Sequence, residues 1–277
     1  MKIYSAKFRC GSSLITVLKE SFQQIIQYRW QILLAIKKRI QSTYQQDAFG
    51  FFWSILMPII PMTVYMILAH IKVFNTVKDQ PFIYYIAMGM LTWLMMASII
   101  QNVMMSIKKE KGILTTTNFP ILASMISQLG SVLYDTAIRI IAVVAIVIWF
   151  GIDTSFTSVV LTLLSLIPAI IFAFALGMVL SILDIVIQDT RRIVDIFLRY
   201  GLFVSSVIFP FPAEGILGSI NQFNFFNTYI NATRDILYSG ATENLSLFIY
   251  TSVLGLFLFL VSLKLVYNME YKIRAYL

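Results

Sequence analysis

Long apolar runs, interrupted mainly at their ends by Lys, Arg, Asn and Pro, dominate this chain. The hydrocarbon core of a bilayer, about 30 Å thick, needs roughly 20 mostly apolar residues as helix. Six stretches meet that requirement: Ala48–His70, Phe82–Ile107, Ile121–Phe150, Thr157–Ile182, Ile193–Phe211 and Leu245–Tyr267. The third is longer than a crossing needs and is expected to tilt or protrude. The fifth carries Arg199 near one end and is stopped by Pro210 and Pro212 at the other. A membrane barrel would need repeated alternating segments of about ten residues, and these runs do not alternate. The pattern predicts an all-α membrane protein with six transmembrane helices.

Two further segments are neither spans nor ordinary loops. Residues 13–40 place Leu18, Phe22, Ile25, Leu33, Ile36 and Ile40 at helical spacing with Lys, Gln and Arg between them. That is the pattern of an amphipathic helix lying in the membrane interface. Phe209–Gly240 begins FPFP and continues through aromatic and aliphatic residues interrupted by Asn221, Asn224, Asn227 and Asn231. It is too polar to span and too aromatic to float in water. Backbone at membrane depth must be buried in protein or line a cavity, so the expectation is a re-entrant pair of short helices. Pro210, Pro212, Asn224 and Arg234 are its marker residues, and a plain external loop is the alternative. The chain thus divides into a cytoplasmic N-terminus, 1–47, and a six-helix membrane domain, 48–277.

Composition narrows the class. Hydrophobic residues make up 59% of the 277 residues, charged residues 12%, and the mean hydropathy is +0.82. A water-soluble monomer this apolar would expose large greasy patches, and disorder needs the opposite composition. The net charge of +8 matters less than its placement. Before the first span, in the loops at 108–111 and 191–199, and at the end of the chain lie 17 of the 21 basic residues. The opposite side holds Lys72, Lys78 and Arg234, and Arg139 sits inside a span. Basic residues collect on the cytoplasmic side, so both termini are expected there. The N-terminus lacks the apolar core and cleavage site of a signal peptide, so internal spans are expected to direct insertion. A single Cys10 and a single His70 leave no intrachain disulfide and no His/Cys zinc cluster.

No phosphate-binding G-x-x-x-x-G-K-[ST] loop, H-E-x-x-H or G-x-S-x-G motif occurs, so the chain is expected to hydrolyse no nucleotide and to bind no cofactor itself. Charged residues at membrane depth are candidates for function. Asp135 and Arg139 lie four apart on one face of the third span, where they either touch a polar substrate or neutralise each other and pin helices together. Asp184, at the end of the fourth span, is expected at the interface. Ala169, Ala173, Gly177 and Ser181 recur every four residues and predict a close-packing helix face, within the chain or between chains.

The order of these features resembles the membrane subunit of ATP-binding-cassette polysaccharide exporters, the family that exports O-antigen, capsule and teichoic acid. In KKRIQSTYQQDAFGFFWSILMPIIP, residues Arg39, Tyr44, Gly50, Trp53 and Pro58 fill the family's basic–Tyr–Gly–Trp–Pro pattern, with Phe49 in place of the usual Leu. KKEKGILTTTNFP ends in the family's Phe-Pro at Phe119 and Pro120. IQDTRRIVDIFLRYGLFVSSVIFP is similar to its Arg-Asp segment, with Gln188 replacing the Arg. NFFNTYINATRDILYSG resembles its Asn-Pro…Arg segment, with Phe225 in place of Pro and Arg234 at the arginine position. The likeness runs from about residue 20 to the C-terminus.

That resemblance implies a permease in the bacterial cytoplasmic (inner) membrane. Two copies would form the pore, with two separate ATPase subunits beneath it that hold ATP and Mg. The cargo would be a lipid-linked polysaccharide, with membrane lipids around the chain and no nucleic-acid partner. The docking elements it implies are the interfacial helix and the loop Ser106–Phe119, with Arg39, Lys108, Lys109, Glu110 and Lys111 as polar contacts. Otherwise the lysines only set topology and touch anionic lipid. Tyr44, Trp53, Tyr65, Tyr84, Tyr85 and Trp93, with Asp135 and Arg139, are translocation-path candidates, since aromatic faces suit sugar rings; aromatics also gather at membrane interfaces without a substrate. An ATP-driven permease for drugs or small lipids is the nearest alternative. An intramembrane glycolipid enzyme would need clustered acids or histidines, and a secondary transporter would usually show internal repeats.

Overall fold

The computed structural model describes residues 12–45, 80–152, 154–208 and 224–276, together with 60, 63, 64 and 67; for 43–45 only the main chain is described. The described chain is helical throughout: α1 (Leu14–Gln27), α2 (Arg29–Gln45), α3 (Phe82–Lys109), α4 (Lys111–Thr116), α5 (Ile121–Trp149), α6 (Phe156–Val186), α7 (Thr190–Val204), α8 (Phe225–Ser239) and α9 (Leu245–Tyr276). Local chemistry sets several of these ends. The Ser13 and Ser155 hydroxyls accept from the Thr16 and Ser158 amides at the starts of α1 and α6, the usual N-cap bond. Pro120 immediately precedes α5, and Gly240, at φ +79°, closes α8 in the left-handed conformation that glycine adopts without strain.

Among the described residues, four helices, α3, α5, α6 and α9, are long and apolar enough to cross a membrane. These are the second, third, fourth and sixth expected spans. The first, 48–70, lies outside the described residues except for 60, 63, 64 and 67, which are helical. The fifth is corrected. Its helix, α7, has 15 residues, about 22 Å at 1.5 Å per residue, short of a crossing. Beyond Val204 the chain turns inward, and Ser205, Ser206, Val207 and Ile208 are all at most 2% exposed. Buried non-helical backbone must find partners: the Ser206 N–H donates to Asn227 Oδ1 (2.6 Å), and its carbonyl accepts from Arg234 (2.8 Å) and Tyr85 (3.1 Å).

α3 is the central element, enclosed by α5, α6, α7 and α8, while α9 packs on α6 at the periphery. The small-residue face of α6 serves packing within the chain. Ala169, Ala173 and Ser181 are fully buried, and a Cβ on Gly177 would lie 2.8 Å from Val103 Cβ of α3. Pro168 is accommodated inside α6.

The expected interfacial helix is two helices, divided at Tyr28, whose ring meets Phe119 edge-on at 6.0 Å. Val17, Ser21 and Ile32 face the bundle, with Ile25 and Ile36 partly buried against it. Leu14, Ile15, Leu18, Phe22, Ile26, Trp30, Leu33 and Leu34 remain exposed, an apolar surface suited to the acyl boundary of a bilayer. Of the expected re-entrant pair, only α8 is described. It is 15 residues long and packed against α3, α6 and α9, and 209–223 lie outside the described residues.

Candidate functional site

The end of the bundle where α3, α6 and α9 finish carries the candidate docking site. α3 stops at Lys109, with Lys108 and Lys109 in its last turn, where cations complement the helix dipole. After Glu110 the chain makes the six-residue α4, passes through Thr117–Pro120 and enters α5. Leu114 and Phe119 are buried, while Lys111, Gly112, Ile113, Thr115 and Thr116 are exposed. A groove of about 480 Å³ separates α4 from α2, lined mainly by apolar groups including Tyr28, Leu34, Ala35, Ile113 and Phe119, with Lys38 beside them.

Of the expected docking contacts, Arg39, Lys108 and Glu110 are held in ion pairs within the chain. Glu110 is 7% exposed, and its Oε1 accepts from Arg39 Nη2 (2.8 Å), Ser127 Oγ (3.2 Å) and Gln128 Nε2 (3.2 Å). This carboxylate joins α2, the end of α3 and α5. Lys108 Nζ lies 3.0 Å from Asp184 Oδ2, which also takes Arg191 Nη2 at 3.3 Å, so one buried acid ties α3 to α6 and the start of α7. Asp184 is 1% exposed and is held between these two partly exposed cations. Gln101 Nε2 adds a second link from α3 to α7 through Asp195 Oδ1 (2.8 Å). Lys109 hydrogen-bonds Asn102 Oδ1 (3.1 Å), and Lys111 is exposed.

The residues that carry most of the contacts on this loop were not singled out in the sequence. Arg274, in the last turn of α9, donates from Nη1 to the carbonyls of Leu114 (3.0 Å) and Thr117 (3.3 Å), and from Nη2 to that of Phe119. Glu270 Oε1 accepts from Arg274 Nη2 and from the Ile121 N–H, each at 3.4 Å. The one signal available was their i,i+4 spacing near the end of the last helix.

At the other end of α3 a different polar knot forms. Arg234 is 2% exposed. Its guanidinium carbon lies 3.4 Å from the centroid of the Tyr85 ring, and its Nη atoms donate to the Ser206 carbonyl (2.8 Å) and Asn231 Oδ1 (3.2 Å). The Tyr84 hydroxyl donates to the Arg234 carbonyl (2.6 Å), and Thr92 meets Thr233 at 2.9 Å. Gly89 makes the approach feasible, since a Cβ there would lie 2.6 Å from Arg234 Nη2 and 2.8 Å from the Val207 carbonyl. Asn224 caps α8 through the Phe226 N–H (3.1 Å). Burial, and then Glu243, push the neighbouring Asp235 carboxyl up to about 6.

The path candidates scatter. Tyr84, Tyr85 and Trp93 are at most 5% exposed and are held in interior packing, Trp93 against Phe226 with centroids 5.3 Å apart. Asp135 and Arg139 are half-buried on α5. Tyr44 falls in the last turn of α2 where only the main chain is described, and Trp53, Tyr65, Pro210 and Pro212 lie outside the described residues.

Residues 30–238, three quarters of the chain, match the family described as "ABC-2 type transporter". The chain belongs to that family. Two curated relatives extend the match. The O-antigen export system permease protein RfbA of Myxococcus xanthus is 21% identical over 188 residues, covering 68% of this chain and 71% of its own. The protein of the same name from Klebsiella pneumoniae is 21% identical over 254 residues, covering 88% of this chain and 94% of its own. The resemblance to polysaccharide-export permeases drawn from the sequence is borne out. This ABC-2 permease is a multi-pass membrane protein and the membrane subunit of an ABC transporter.

Proposed function

We propose that this permease forms, as a homodimer, the pore of an ATP-driven exporter in the bacterial cytoplasmic membrane, and that its cargo is a lipid-linked polysaccharide of the O-antigen, capsule or teichoic acid type. Two separate ATPase subunits supply ATP and Mg and dock at the basic end. The observation that carries the proposal is the exposed outer face of α4, Lys111–Thr116, presented on a rigidly tied loop. Such a knob can receive force from a partner and pass it into α3, α5 and α9. The two O-antigen export permeases among the relatives support the cargo class. The buried turn at Ser205–Ile208 and the packed α8 support a re-entrant segment on the outer side, with both termini on the cytoplasmic side.

Reconstitution tests it. The purified chain alone should hydrolyse no ATP. Proteoliposomes that also contain the ATP-binding-cassette subunits co-purifying with it should export a lipid-linked glycan only with hydrolysable nucleotide. Robust hydrolysis by the chain alone would overturn the division of labour. Export of small lipids or drugs with the glycan left behind would replace the cargo by the alternative.

A further inference from the structure

The α4 loop is held from a helix far away in sequence. The carbonyls at the end of a helix have no partners within it, and in a six-residue helix such as α4 they are a large share of the backbone. Arg274 satisfies those of Leu114 and Thr117 and also that of Phe119, which lies between the two helices. Four residues earlier on the same face of α9, Glu270 accepts the first amide of α5. The signs match: a cation on the carbonyl end of one helix, an anion on the amide end of the next. Glu270 and Arg274 also meet each other at 3.4 Å and are mostly buried, 10% and 27% exposed. Phe119 is 5% exposed and backed by Tyr28 of the α1–α2 junction. The inner side of the loop is thus bolted to the last helix while the outer side of α4 stays open.

We infer that Glu270 and Arg274 are positioning residues: a clasp by which α9 fixes α4 in register for the partner ATPase and takes up part of the stroke delivered to it. This rests on the docking role proposed above for α4, whereas the clasp itself is testable without any partner. Charge-assisted bonds of this kind are about twice as strong as neutral ones. A lysine at 274 is a single point donor and cannot span three carbonyls, so Arg274→Lys should recover only part of what Arg274→Ala loses.

Two measurements decide it, both in full-length chain with Cys10→Ser. First, a spin label on Thr116→Cys reports the motion of α4 in the purified permease. Arg274→Ala should mobilise it clearly and Glu270→Gln less, and an unchanged spectrum in Arg274→Ala would overturn the clasp. Second, in the assembled transporter, Arg274→Ala should lower glycan exported per ATP hydrolysed by about tenfold, with Arg274→Lys between it and the parent and ATPase co-purification unchanged. Export per ATP equal to the parent, or export lost only in proportion to lost ATPase binding, would overturn the positioning role. If the parent itself needs no ATPase, the docking proposal fails while the spin-label result still judges the clasp.

Discussion

Buried charge is handled in opposite ways at the two ends of α3. At the Lys109 end every buried acid among the described residues meets a cation: Glu110 with Arg39, Asp184 with Lys108 and Arg191, and Glu270 with Arg274. At the Phe82 end Arg234 is 2% exposed, and among the described residues its guanidinium meets two neutral oxygens and an aromatic face. The first arrangement suits a surface where Lys108 and Arg191, each more than a third exposed, still reach water. The second suits a site closed on all sides, where dipoles and a ring face must replace hydration. One end keeps its ion pairs in touch with water, the other holds a turn in place.

The comparison breaks most sharply at Arg234. Arg234→Ala opens a cavity and strips the Ser206 carbonyl of its charged donor, and should cost about 3–5 kcal/mol, read as a large drop in Tm in detergent. Asp184→Ala should cost less, about 2–3 kcal/mol, because both released cations can rehydrate. Equal losses would mean the two ends are equally closed. Raising salt should shrink the Asp184 effect and leave that of Arg234 unchanged, since only the partly exposed pairs are screened. Tyr85→Phe keeps the ring under Arg234 and loses one hydroxyl bond, so about 1 kcal/mol is expected. A loss as large as that of Arg234→Ala would show that the hydroxyl, not the ring face, holds the guanidinium.

Asp235→Asn should give an effect that depends on pH. The folded carboxyl titrates near 6, above its ordinary 3.8, so ionisation at neutral pH disfavours the fold. Stability lost to this group is absent below about pH 4, grows between 4 and 6, and is complete above 6. The Asn variant should therefore melt higher than the parent at pH 8 and equal to it at pH 4. A gain that is the same at both values would remove the titration from the explanation.

Much of this was legible locally. Four of the expected spans and the small-residue face on α6 follow from helical period and length. The break at Tyr28 and the early end of α7 were not, because both depend on what the chain meets: Phe119 in one case, and Tyr85, Asn227 and Arg234 around Ser206 in the other. The loop lysines were expected as docking contacts only through the family resemblance, with topology and lipid contact as the alternative. The structure divides them, since successive helical residues point in different directions: Lys108 turns to Asp184 while Lys111 stays exposed. Tyr84 and Tyr85 were expected along a path and instead fasten the α3 end to Arg234 and Ser206.

Solvent preference is a sum over residues, and it needs no knowledge of which residues meet. For that reason the sequence alone established a helical membrane chain and predicted a strongly basic side opposite one that holds few Lys or Arg. Polar partnership is a property of pairs. Arg274 and Leu114 are 160 positions apart, and Tyr84 and Arg234 are 150 apart, and only the packed bundle brings them within reach. The tertiary structure therefore decided which charges are spent internally, which helix stops short, and which surface of α4 stays exposed.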